Sequence, residues 1–187
     1  MSASVPLARL GATIDLSRLT GLAGKATDLR PVWLDDVQPL VTDYLTKRFA
    51  SEGAHLGTKW APHAPVTTLL RQRPGHGRGG IGRDVGTLWA SFVKSAGATP
   101  APGGFLVVEP LRYERGSTVK HALFFAGGFQ STHMPRYNAA TKSWTFVRRK
   151  AKKAVPARPI WTDPLPPAIV GPIEAAVARH LTARGGA

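Results

Sequence analysis

Between Val32 and Ala50 the apolar residues Val37, Leu40, Val41, Tyr44, Leu45 and Phe49 recur at steps of three and four, which places them on one face of an α-helix. Asp36 is positioned to cap its start. That leaves Pro39 in the first turn, where the missing N–H costs little, and Gly53 ends the helix. Val85, Leu88, Trp89 and Phe92 give a second, short helical run within Asp84–Val93. Ile173, Val177 and Leu181 mark a C-terminal helix with Pro172 as its first residue, Arg179, His180 and Arg184 near the negative end of its dipole, and Gly185 as its stop.

Other stretches read as extended chain. Phe105–Glu109 is a buried strand by its continuous apolar run. Val119–Phe125 fits either a strand or a short helix, closed by Gly127 and Gly128. Phe129–Tyr137 and Ser143–Arg149 form the arms of a hairpin around Asn138–Lys142, with Trp144 and Phe146 alternating against Thr145 and Val147. Val155–Pro159 is extended, because each proline pushes its predecessor out of the helical region.

Between these elements, ten glycines and prolines fall in Gly53–Gly82, which predicts a long, mobile loop with at most one helical turn near Val66–Leu70. Residues 1–30 show no sustained period and read as a flexible arm. The remaining residues, 31–187, make one α+β domain: a small antiparallel sheet packed with an N-terminal and a C-terminal helix, long Gly/Pro-rich loops, and a β-hairpin extension over 129–150.

Charge changes the picture more than apolar content does. Lys and Arg number 25 against 11 Asp and Glu, a formal net charge of +14, which attracts nucleic acid or acidic protein surfaces. The densest cluster is Arg148, Arg149, Lys150, Lys152 and Lys153, five cations in six residues, expected to meet nucleic acid or an acidic neighbour, and nucleic acid through phosphate contacts rather than base readout. Arg71, Arg73 and Arg78 add cations on the Gly/Pro loop. Cysteine is absent, which removes disulfides and thiolate chemistry. No apolar run approaches the roughly 18 residues that span a bilayer, and no membrane partner is expected. The histidines lack metal-ligand spacing, and Gly75–Gly80 lacks the ending of a phosphate loop. The expectation is therefore a protein without cofactor, metal or catalytic site, and not an enzyme.

Trp60 lies in a loop before Pro62, and Arg158 is held between Pro156 and Pro159. Both types dominate interfaces when rigidly presented, so Trp60, Arg158, Pro156 and Pro159 are candidates for a subunit contact. The competing reading is ordinary packing, with Trp60 pinning its loop to the helix that ends at Phe49.

The ordered motifs resemble the virion morphogenesis and tail completion proteins of long-tailed bacteriophages, together with the neck and tail-terminator components grouped with them. The resemblance rests on Phe49-Ala-Ser-Glu-Gly53, Gly57-Thr-Lys-Trp60-Ala-Pro62 followed by Thr67, Arg83-Asp-Val-Gly-Thr-Leu-Trp-Ala-Ser-Phe92, His121–Gly127 and Val155-Pro-Ala-Arg-Pro-Ile160, and covers about Val32 to Leu181. This chain departs from the pattern where His121 replaces the usual Tyr, where the downstream His is missing, and in an enlarged hairpin. The resemblance implies a homo-oligomeric ring, commonly a hexamer, at the head–tail junction of the virion. Such a ring would cap or complete the tail tube and dock it to neck and head-completion proteins around a channel for duplex DNA, with assembly in the bacterial cytoplasm. The alternative is a free, basic nucleic-acid-binding protein.

Overall fold

In the computed structural model, residues 10–16, 28–71, 80–81, 86–94, 101–138, 141 and 143–185 are described. The protein is α+β. Its sheet has three antiparallel strands in the order β1-β3-β2, where β1 is Leu10–Asp15, β2 is Gly104–Glu109 and β3, the central strand, is Arg112–Ser117. The first of these corrects the reading of residues 1–30 as a flexible arm. All six residues of β1 pair with β3, and Leu10, Ile14 and Leu16 pack against the core, so this part of the lead-in is built into the sheet.

Helix α1 is continuous over three stretches: Arg30–Val32, a π-helical Trp33–Val37, and Gln38–Ala50. It starts earlier than the sequence suggested. Pro31, not Asp36, occupies the opening turn. The wide π turn lies directly before Pro39, whose ring would otherwise press on a carbonyl of the preceding turn; the Gln38 N–H reaches back five residues to the Trp33 carbonyl. The predicted apolar face is the buried one, with Val37, Val41, Tyr44, Leu45 and Phe49 nearly inaccessible. The Trp33 indole donates to the Glu109 carbonyl at 3.0 Å, which fixes α1 against the end of β2.

The short helices α2 (Pro65–Arg71) and α3 (Thr87–Val93) follow, and α3 packs between α1 and strands β2 and β3. Val119–Phe125 resolves as helix from Lys120 on, within α4 (Lys120–Gly127), with Val119 as its extended N-cap. Strands β4 (Phe129–Asn138) and β5 (Ser143–Val155) form a separate two-stranded ribbon. The last helix, α5 (Pro167–Gly185), begins before Pro172 and holds that proline inside it. The residue before Pro172 is Gly171, which has no Cβ to clash with the pyrrolidine ring, so the helix passes through. Ile169, Ile173 and Ala176 of α5 are buried near α1, whereas Val177 and Leu181 are only half-buried.

Two arginines are built into the core. Arg115 on β3 donates from Nη1 to the Thr42 hydroxyl at 2.6 Å, and from Nη2 to the carbonyls of Phe92 at 2.6 Å and Val93 at 3.0 Å. One guanidinium thereby ties β3 to α1 and to the C-terminal carbonyls of α3, where a cation suits the helix dipole. Burial pulls its pKa below the usual arginine value, an effect partly offset by Tyr113. The second is Arg48.

Candidate functional site

Arg48 is fully buried near the end of α1 and donates only to carbonyls: Nε to Ile160 at 2.7 Å, Nη1 to Gly53 at 2.6 Å and His55 at 3.0 Å, and Nη2 to Pro159 at 2.9 Å. Desolvation lowers its pKa, with Tyr44 opposing the shift. The turn that supplies two of these carbonyls depends on Gly53 at φ +88°, whose N–H returns to the Arg48 carbonyl at 2.8 Å. Gly57 backs directly onto the guanidinium, leaving no room for a Cβ. Gly57→Ala is therefore expected to cost roughly 1–3 kcal/mol through overpacking. Chemical denaturation checks this, and a variant within a few tenths of wild type would show that the turn shifts freely.

Trp60 closes the same knot. Its indole is 2% exposed and donates to the Pro159 carbonyl at 2.9 Å. Its ring meets Phe49 edge-on at 5.3 Å and Phe125 at 5.1 Å. Arg158 is buried too: Nε donates to the Ala61 carbonyl at 2.9 Å, Nη2 to that of Pro62 at 3.1 Å, and its guanidinium lies 5.9 Å from the centre of the Phe125 ring. The assignment of Trp60 and Arg158 to a subunit interface is thus corrected. Both side chains are consumed inside one chain, because the loop carbonyls of residues 61, 62 and 159 need donors and the indole fills the space between α1 and α4. The rings of Pro156 and Pro159 are exposed, but the Pro159 carbonyl points inward to accept from both Trp60 and Arg48.

The Gly53–Gly82 loop is likewise tied down where it is described, which corrects the expectation of mobility for those residues. The Trp60 N–H donates to the Glu52 carbonyl at 2.6 Å, the Ile81 N–H donates to the Glu52 carboxylate at 3.0 Å, and Ile81 is buried. Arg71 donates to the Gly80 carbonyl at 3.1 Å and lies 2.7 Å from His63 Nε2. Those bonds tie Arg71, one of the candidate polyanion contacts, to the loop itself. Arg73 and Arg78 lie outside the described residues, as does most of Gly75–Gly80.

Of the candidate polyanion contacts, the described ones that are exposed lie on the ribbon. Residues 129–155 hold seven Lys and Arg, namely Arg136, Lys142, Arg148, Arg149, Lys150, Lys152 and Lys153, and no Asp or Glu. The tract expected to follow the hairpin instead lies inside β5, which continues to Val155. Ser131 pairs with Lys153 but His133 pairs with Arg148, so residues 149–152 of β5 bulge opposite Thr132 alone. Arg148, Lys150, Lys152 and Lys153 are exposed on the strand. Phe146, two residues before Arg148 and hence on the same strand face, is 74% exposed. The ribbon packs chiefly on itself, and at its base the ring of Phe129 meets Phe124 of α4 at 5.7 Å. No group of three or more metal-ligating side chains occurs among the described residues, and no described helix is long and apolar enough to cross a membrane.

Sequence reading found the basic tract but missed Arg48 and Arg115. An arginine at a helical position facing the core, as Arg48 is between Leu45 and Phe49, was the available signal. Comparison with family models, with curated proteins and with solved structures finds no match in any of the three.

Proposed function

We propose that this chain is a structural subunit of a tailed-phage virion that assembles into a ring at the head–tail junction, capping or completing the tail tube and docking it to the neck around the DNA channel. The observation that carries this reading is the convergence of the motifs. Phe49–Gly53 and Gly57–Pro62, neighbours in the chain, meet Val155–Ile160, about a hundred residues further on, in one knot in which Trp60 and Arg48 share the Pro159 carbonyl and Arg158 serves the Gly57–Pro62 loop. The resemblance therefore concerns a three-dimensional unit whose parts depend on one another, not scattered short matches. The ribbon supports an assembly role independently. A lone two-stranded hairpin is marginal in water, and one rich in cations without carboxylates gains stability from a polyanionic or acidic partner, channel DNA or a neighbouring protein.

The reading of a free nucleic-acid-binding protein is favoured by the same ribbon and must be separated from the first. Negative-stain microscopy and mass photometry of the purified chain, with DNA titrations at several salt concentrations, make the separation. Closed rings and weak DNA affinity of isolated subunits are expected. A monomer that binds duplex DNA tightly, with steep salt dependence, would overturn the ring reading in favour of the other.

A further inference from the structure

On the side of the body formed by β1 and α5 lies an apolar groove of about 410 Å³, walled by Ile14 from β1, by Leu16 just after it, and by Val170, Val177 and Leu181 from α5. These walls are the half-buried part of the α5 stripe, the part that α1 does not cover. Glu174 stands at the groove and has no ion-pair partner among the described residues. A cavity of about 150 Å³ takes one benzene ring, so this groove takes an aromatic side chain with room for its neighbours.

We infer that the groove receives the β4–β5 ribbon of a second copy of this chain, with Phe146 seated between Val177 and Leu181 and the ribbon's cations facing Glu174. The occupant is identified by complementarity. Phe146 is the most exposed large apolar residue of the core and ribbon described, and Arg148 shares its strand face. The groove offers the converse pair, an apolar floor and an unpaired carboxylate. Phe146 pairs with Pro135, six residues along β4 from Phe129, which carries it roughly 20 Å out from the ribbon's base. Arm and groove are different surfaces of one subunit, so the contact is head-to-tail, the kind that closes into a ring when its rotation permits. The inference rests on the ring reading and deepens it by naming the contact. It also divides the ribbon, with the segment around Phe146 docking on a neighbour and the 149–152 bulge left for another partner.

The test uses full-length chains. Phe146→Asp disables the arm, and Ala178→Trp, at an exposed α5 position lining the groove, fills the groove without touching the core. Sedimentation velocity is expected to show wild-type rings, at least about 30-fold weaker self-association for each variant alone, and unchanged thermal melting of the monomers. An equimolar mixture of the two variants is expected to stop at 1:1 dimers, because each such dimer holds one intact arm and one intact groove. Rings of Phe146→Asp indistinguishable from wild type would overturn this contact while leaving the ring reading standing. Absence of any wild-type assembly would remove both. Altered melting of the Ala178→Trp monomer with assembly intact would show that the groove is filled from the same chain, which also overturns the inference.

Discussion

Arg48→Ala and Trp60→Ala are each expected to lower Tm by about 10 °C, with the folded state retained but loosened around the α1 terminus. Arg48 satisfies the carbonyls of Ile160, Gly53, His55 and Pro159. Removing it takes the side-chain donor from the Ile160, Gly53 and His55 carbonyls, leaves Pro159 with Trp60 alone, and opens a void the size of a guanidinium. Each buried acceptor left unsatisfied costs about 1–3 kcal/mol, so losing several together with the void comes to about 3–5 kcal/mol. Truncating a buried Trp costs about the same through cavity formation, and here it also removes a donor to Pro159. In a domain of this size each kcal/mol moves Tm by about 2–4 °C, which gives the stated fall. Arg48→Lys should recover little, because one ammonium cannot reproduce a planar fork that reaches acceptors on both sides. Since both residues bond the same Pro159 carbonyl, only the double variant leaves it without either donor, so its loss should exceed the sum of the single losses. Differential scanning calorimetry of the four proteins measures this. Tm values near wild type for both single variants would mean that the knot carries little of the fold's stability.

The legibility of the sequence divides along a physical line. α1 could be read because its one buried face recurs at helical spacing, and the ribbon could be read because its arms flank a turn. β1 and β3 escaped notice because they break the usual signature of a strand. Gly11 and Gly116 pair across the ladder, and Phe105 on β2 pairs with Gly116 on its other side. A Cβ on Gly116 would meet the tip of the Phe105 ring at 2.7 Å, and one on Gly11 would meet it at 3.0 Å. The ring thus occupies the space that two side chains would fill, a recognised way of accommodating glycine in a strand, and glycine here marks close packing instead of a loop. β3 also carries Arg115 inward, so its residues read as polar surface.

The same distinction separates the candidate site residues. Trp60 and Arg158 looked like interface anchors because their segments are stiffened by proline, and stiffness suits docking against the same chain as well as against a neighbour. What decided between the two was the set of loop carbonyls at 61, 62 and 159 that accept from these side chains within one chain. Such a set arises only from the fold and leaves no mark in composition. The basic tract was legible because charge density is a property of sequence. Its bulge was not, because it depends on how two strands pair.

Replacing Arg148, Arg149, Lys150, Lys152 and Lys153 together by Gln is expected to leave Tm nearly unchanged and to remove most of the protein's affinity for polyanions. None of the four described side chains in this group is buried, and no carboxylate lies anywhere in residues 129–155. Neutralising them therefore breaks no internal pair within the ribbon and relieves repulsion among like charges. If all five neutralise phosphates of duplex DNA, the logarithm of affinity falls against the logarithm of salt with a slope of about −0.9 per contact, about −4.5 in all. Raising salt fourfold, from 50 to 200 mM, would then weaken wild-type binding by about 500-fold through this tract alone. The Gln variant should lose that part of the dependence while keeping whatever Arg136 and Lys142 contribute. Fluorescence anisotropy of labelled duplex DNA at a series of salt concentrations, on assembled protein, reads the slope directly. A salt slope equal in the two proteins would place the tract outside the contact and leave it a solvated face of the ribbon. If the slope is shallow in both and binding to an acidic neighbouring protein is lost instead, the tract's partner is that protein and not the DNA.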